Sequence, residues 1–453
     1  MNVIIVGCGK VGYTLAQTLD SEGHDITVID NSAQKLEGLA NNIDVQYVLG
    51  NGASFQVLRE AGVESCDLVI AATSEDEVNM LCCVLARRTG KCRTIARVRN
   101  PDYYQDLSYI KDDLGLSMAI NPEYSAATAC YHLIRTPGAV DLDPFAKGRA
   151  LMTTTDLPQG SQWVGQRLMD ISKKSPIPFL LSMIVRDKSV LIPHGGTVLC
   201  DGDRISMLLD MKNMGAMMRE LGIPTKTIRS VMIIGGDTMS YYLARKLLDA
   251  HIKVTIIEQN RARCIELSDM LPKATVINGN PTDERLLMEE GISTTDAVCS
   301  LLKSDVENIM IAVFASKRSN AKVITRINKA TFGGVINELP IGSVITPTSL
   351  TAESIIRYVR TMRRPNEDSD IEYVYRLADG QVEAISFRIK DSCRMTGTAI
   401  QDLPIKKGVL INAIIRGNQV ILPNGQDKIQ PGDEVIIVTT QHGFSNLSDI
   451  FKQ

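Results

Sequence analysis

Short apolar runs alternate with longer amphipathic stretches from the first residues onward, and that alternation predicts β-α-β units. NVIIVG, DITVID, DVQYVLG, LVIAAT and RTIARV are short, apolar and rich in Val and Ile, as strands buried on both faces are. Between them, VGYTLAQTLDSEG and DEVNMLCCVLARRTG carry apolar residues at helical spacing. Buried strands joined by helices predict a doubly wound parallel sheet.

The pattern then repeats. VIIVGCGKVGYTLA (residues 3–16) aligns with VMIIGGDTMSYYLA (231–244), and DITVIDNSAQKLEGLA (25–40) aligns with KVTIIEQNRARCIELS (253–268). The register holds through residues 47–79 and the segment ending at Asn308, and RTIARVRN against KVITRINK sets Arg97 opposite Arg326. A register kept across this much chain marks an internal duplication. PEYSAATACYHLIRTPG and PTSLTAESIIRYVRTMRRP follow the two copies as helices with proline at either end, suited to packing or dimerising.

What remains also matches itself. In each remainder an Ile/Val-rich strand enters a short turn (Arg186, Asp187; Arg416, Gly417, Asn418), and a second strand runs to Pro193 or Pro423. Gly202-Asp203 and Gly432-Asp433 sit at the turn before the last strand, and ligand sensing or assembly is the expected work. Asp201, Asp203 and Asp433 read either as cation ligands or as solvated turn residues. The expected fold class is therefore α/β, with two Rossmann-like doubly wound parallel-sheet domains, each followed by a small α+β domain. Boundaries fall at 1–138 (including the connector helix), 139–224, 225–364 and 365–453.

Composition narrows the function. A chain of 453 residues has room for roughly three or four domains. A net charge of -3 gives no bias toward nucleic acid. No apolar run reaches the ~20 residues of a membrane helix, and the start is not a secretory signal, so a membrane role is expected to act through a partner. The ten cysteines form no Cys-x-x-Cys pair and read as buried, reduced thiols of a cytosolic protein. The five histidines are scattered, so no metal site is expected.

The first copy carries the candidate chemistry. Gly7-Cys8-Gly9-Lys10-Val11-Gly12 follows a strand and opens a helix, the context in which GxGxxG cradles a pyrophosphate. Asp30 ends the next strand 18 residues beyond Gly12, where an acid accepts from ribose hydroxyls and disfavours the extra phosphate of NADP. Asn51, Gly52 and Ala53 either admit an adenine ring or form a good turn. Thr73 and Ser74 either line the ribose and phosphate side or cap the next helix. Arg97, inside an apolar strand, requires an anion, from a ligand phosphate or a protein carboxylate. Lys10 either reaches phosphates or points to solvent.

In the second copy Gly235 matches Gly7, but Asp237 replaces Gly9 and Ser240 replaces Gly12, so a carboxylate should repel phosphate there. Glu258, Asn280 and Arg326 keep the positions of Asp30, Asn51 and Arg97, while Pro281 and Leu302 replace Gly52 and Thr73. A degenerate site is expected.

GCGKVG with Asp30, GNGA, AATSEDEVN and ARVRNPDYY resemble the TrkA-type regulators of potassium uptake, built from RCK (KTN) units. The resemblance covers essentially the whole chain, duplication included. It implies a non-enzymatic cytoplasmic protein forming a tetrameric ring on the inner face of the membrane, beneath a TrkH/TrkG-like potassium translocator. It implies NAD(H) and adenine nucleotides such as ATP or ADP as ligands, bound by Gly7 to Gly12, Asp30, Asn51, Thr73, Ser74 and Arg97. Lys10 would reach a neighbouring subunit's nucleotide phosphate. A regulator of another cation transporter fits the same residues. An NAD-dependent dehydrogenase fits the first copy alone, but would need an acid-base constellation that the small domains do not carry.

Overall fold

The computed structural model describes residues 1–136, 138–145, 150–187, 189–223, 227–328, 339–362, 371–378, 381–390, 395–417, 419–441, 444 and 447–451. The turn residue Asn418 and the boundaries at 224/225 and 364/365 lie outside them. The first parallel sheet contains β1 (Asn2–Val6), β2 (Asp25–Asp30), β3 (Gln46–Leu49), β4 (Leu68–Ala71), β5 (Arg93–Arg97) and β6 (Met118–Ile120). Its order is β3-β2-β1-β4-β5-β6. Five of these strands follow the sequence pattern, whereas β6 is three residues long and too short to show periodicity.

β1 is central because Val3 to Val6 are all buried, with β2 on one side and β4 on the other. Val6 pairs with both Ile29 and Ala71, so three strands end together at one rim. The winding reverses between β1 and β4, and in open α/β sheets ligands bind at such a switch point. Helix Lys10–Ser21 runs from that rim with Val11, Gly12, Leu15, Ala16 and Leu19 turned inward.

The first small domain contains β7 (Asp141–Phe145), β8 (Ala150–Asp156), β9 (Phe179–Arg186), β10 (Ser189–Leu191) and β11 (Arg204–Leu209), in the order β10-β9-β11-β8-β7. The second parallel sheet has β12 (Ser230–Ile234), β13 (Lys253–Glu258), β14 (Thr275–Asn278), β15 (Ala297–Ser300), β16 (Lys322–Arg326) and β17 (Ser343–Ile345), in the order β14-β13-β12-β15-β16-β17. The last domain has β18 (Ile371–Leu377), β19 (Val382–Arg388), β20 (Val409–Arg416), β21 (Gln419–Ile421) and β22 (Glu434–Thr439), in the order β18-β19-β22-β20-β21. Strand for strand, the second half repeats the first.

Spatial grouping departs from chain order. One compact unit holds Met1–Tyr131 with Arg229–Ile356, and the other holds His132–Ile228 with Arg357–Gln453. Like packs with like. In the second unit, Met152, Met183 and Leu208 share a core with Ala413, Ile436 and Val438. Ser182 on β9 and Asn412 at the matching position of β20 meet through a 2.7 Å hydrogen bond.

Two of the three hairpin aspartates are not solvated turn residues, because arginines take up their oxygens. Asp203 and Asp433 are buried, and each accepts a two-pronged bond from an arginine across its hairpin, Arg186 at 2.7 and 2.7 Å and Arg416 at 2.9 and 2.8 Å. Such a fork fixes both oxygens of each carboxylate. Asp201 is exposed.

Candidate functional site

The first glycine turn lies where β1, β2 and β4 end. Gly7 has φ +104°, and a Cβ there would stand 2.9 Å from the Thr73 nitrogen. A Cβ on Gly12 would come within 1.8 Å of the Gly7 carbonyl oxygen, so the helix could not approach the turn so closely with any other residue. Gly9 differs, because nothing lies within 4 Å of the Cβ position. Two glycines serve packing, and the third leaves an opening.

That opening faces the start of helix Lys10–Ser21, whose cap, Gly9, offers no side-chain acceptor and whose first turn holds no acid. The first amides of such a helix lack intrahelical partners and carry partial positive charge. Lys10 is exposed beside them, while Cys8 and Val11 are buried. Asp30 braces the turn: Oδ2 accepts from the Cys8 N–H at 2.7 Å and Oδ1 accepts from the Ser32 N–H at 2.9 Å. Burial, and then the nearby Asp30, push the Cys8 thiol up, so it stays protonated.

The rest of the rim is held by a residue that sequence reasoning did not single out. Asn79, fully buried, accepts from the Thr73 N–H (2.8 Å) and hydroxyl (2.7 Å), and its Nδ2 donates to the Arg97 carbonyl at 2.9 Å. It ties the end of β4 to the end of β5. The Thr73 hydroxyl is therefore committed to Asn79, and Ser74 offers its carbonyl to Arg99. Asn51 makes the turn anticipated as one alternative, its Oδ1 accepting from the Ala53 N–H at 2.9 Å.

Arg97 is mostly buried, with 18% of its side chain exposed. It forms an ion pair with Glu123, 3.5 Å away in the first turn of helix Pro122–Arg135, and the Asp76 carboxylate also acts on its charge. Neither Arg97 Nε nor Glu123 Oε2 has a hydrogen-bond partner among the described residues. Burial pulls the guanidinium below its ordinary value, against the pull of Glu123. The pair is incompletely satisfied. Arg99, also missed, follows two residues on and places its guanidinium by Asp76 at 3.6 Å. The signal was the R-x-R alternation, which puts both arginines on one face of an extended chain.

The second turn keeps this frame. Gly235 has φ +101°, and Glu258 Oε2 accepts from the Gly236 N–H at 2.7 Å, as Asp30 does from Cys8. Asn308 repeats Asn79, bonding to Leu302 N (2.8 Å) and to the Arg326 carbonyl (2.9 Å). Asn280 Oδ1 accepts from the Thr282 N–H at 3.0 Å. Asp237 changes the chemistry. Its Oδ1 accepts from the Ser240 N–H at 3.1 Å and caps helix Thr238–Asp249, and its Oδ2 meets Arg326 Nη1 at 2.5 Å. The carboxylate expected to repel a ligand is neutralised by the strand-end arginine, which no sequence spacing pairs with it.

The two rims also touch. Tyr242, on the helix that Asp237 caps, donates from its hydroxyl to the Arg99 carbonyl at 3.2 Å and accepts from Asn121 Nδ2 at 3.0 Å. Tyr124 packs edge-on against the Tyr242 ring at 5.3 Å, and Lys246 donates to the Tyr124 hydroxyl at 3.1 Å.

The TrkA-N domain model matches residues 3–122 and 231–347, and the TrkA-C domain model matches 384–452. The chain is 33% identical over 443 residues to "Trk system potassium uptake protein TrkA" of Halomonas elongata, spanning 96% of this chain and 95% of that one. It is 30% identical over 452 residues to "Trk system potassium uptake protein TrkA homolog" of Archaeoglobus fulgidus, spanning 100% of both. Among solved structures it is similar to "GsuK channel bound to NAD" (TM-score 0.63, 17% identity, 97% of this chain and 76% of that one). It is also similar to the GsuK RCK domain (TM-score 0.64, 17% identity, 96% and 92%). At these identities the structural likenesses establish the fold.

Proposed function

We propose, from the premise that this chain belongs to the TrkA family, that it is the nucleotide-sensing regulatory subunit of a Trk-type potassium uptake system. One observation carries the sensing role: the uncapped helix start behind Gly9 opens on the rim where Arg97 lacks a full complement of partners. Unsatisfied amides and a buried guanidinium together suit a phosphorylated ligand. NAD(H) and adenine nucleotides such as ATP or ADP have that chemistry, and the fold is shared with a channel whose structures hold NAD and ADP.

Gly7 to Gly12 would hold the diphosphate, with Asp30, Asn51, Ala53, Thr73 and Ser74 along the nucleoside and Arg97 toward phosphate. No helix among the described residues is long and apolar enough to cross a membrane. On this reading the chain acts on potassium transport through a TrkH/TrkG-like translocator, from a cytoplasmic ring of four chains, each divided near residues 138, 224 and 364. A nucleotide shifts such a ring only by binding one arrangement more tightly than the other.

Calorimetry with NADH, ATP and ADP tests the site. Gly9→Asp should weaken binding on the order of 100-fold, because a carboxylate enters the phosphate position. Equal affinity in the variant would reject the site. Copurification from membranes then tests the partner, and recovery of a different cation transporter would redirect the regulatory reading.

A further inference from the structure

We infer that the second Rossmann-like domain carries its own anion, the Asp237 carboxylate, in the position where the first domain is open, and is thereby held permanently in an occupied arrangement. The inference stands apart from nucleotide sensing by the first domain, since it rests on contacts within the second. A phosphate at a glycine turn does two things: it accepts from the helix's first amides, and it neutralises a nearby cation. Asp237 does both, one oxygen taking the Ser240 N–H and the other taking Arg326. The cation is held on a second side as well, because Arg326 Nε donates to Asn328 Oδ1 at 3.1 Å.

Arg326 is 13% exposed and Asp237 is 22% exposed, so the pair is largely shielded from solvent. At the corresponding place in the first domain no side chain among the described residues caps the helix, and Arg97 Nε has no hydrogen-bond partner among them. Removing the Asp237 carboxylate should therefore convert the second turn into an anion site of the phosphate class.

The test follows amide hydrogen exchange of the full chain in peptides covering residues 235–245, with inorganic phosphate as the probe and chloride at matched ionic strength as control. In the unaltered chain phosphate should leave these peptides unchanged. Asp237→Gly should speed their exchange about tenfold, the loss of a cap and an ion pair, and phosphate should slow it again. Adding Arg326→Met should abolish the phosphate effect. Asp237→Ser, which keeps a capping hydroxyl while vacating the charge position, covers the case in which the glycine variant fails to fold, and it too should respond to phosphate. A response no larger than that to chloride in both variants, or one that survives Arg326→Met, would overturn the inference. Peptides over residues 7–13, followed with nucleotide in the same chain, report separately on the first turn, so either reading can fail without the other.

Discussion

Side by side, the two glycine turns keep the same scaffold and divide on the source of negative charge. Asp30 and Glu258 brace the turn in the same way, and Asn79 and Asn308 clamp the same two strand ends. Arg97 and Arg326 end matching strands, yet Arg326 has a 2.5 Å carboxylate contact and Arg97 a looser one at 3.5 Å from another helix. On the reading proposed above, fold maintenance and ligand capacity are carried by separable residues. The buried amide and the bracing acid preserve the architecture, and one position in the glycine turn decides whether the rim is open.

Exchanging residues between the copies should break that division, most strongly where the backbones approach closest. Gly12→Ser, which imports the residue of the second copy, should destabilise the first domain by about 3 kcal/mol or more, because its Cβ would overlap the Gly7 carbonyl. Urea unfolding followed by near-ultraviolet dichroism measures this, and a midpoint within error of the parent would show that the helix can stand off without cost. Next in size is an asymmetry between arginines. Arg326→Met should cost about 3 kcal/mol, since it breaks the close 2.5 Å pair with Asp237, whereas Arg97→Met should cost only about 1 kcal/mol in the ligand-free chain, because its contact with Glu123 is looser, at 3.5 Å. Equal losses would erase the contrast. Smallest is Tyr242→Phe, which removes one hydroxyl shared between the rims and should cost about 1 kcal/mol. Faster amide exchange should appear at the end of β5 and in helix Thr238–Asp249 together; a change confined to one side would mean the contact is incidental.

Much of this was legible beforehand because it is written in periodicity and local spacing. Alternating apolar runs predict the parallel strands, and GxGxxG with an acid at the next strand end marks the turn. β6 escaped because three residues carry no period. Asn79 escaped because an asparagine on an amphipathic helix reads as a solvent-facing residue, and only the fold shows it buried between two strand ends. Asp237 and Arg326 stand 89 residues apart, a separation at which charge pairing follows from topology and not from pattern. The same holds for Asp203 and Asp433, placed in turns by the chain and drawn inward by arginines of their own hairpins. The grouping of like domains was hidden for a related reason: each apolar face announces that it will be covered, without naming its cover.

Tyr242 sets one oxygen atom in the hydrogen-bond inventory of both rims. A displacement of the β5 end withdraws the Arg99 carbonyl from that oxygen, and a rotation of helix Thr238–Asp249 withdraws the donor from Arg99. If the proposed nucleotide binds the first rim and this atom couples it to the pose of that helix, reciprocity makes the coupling the same free energy whichever end is perturbed.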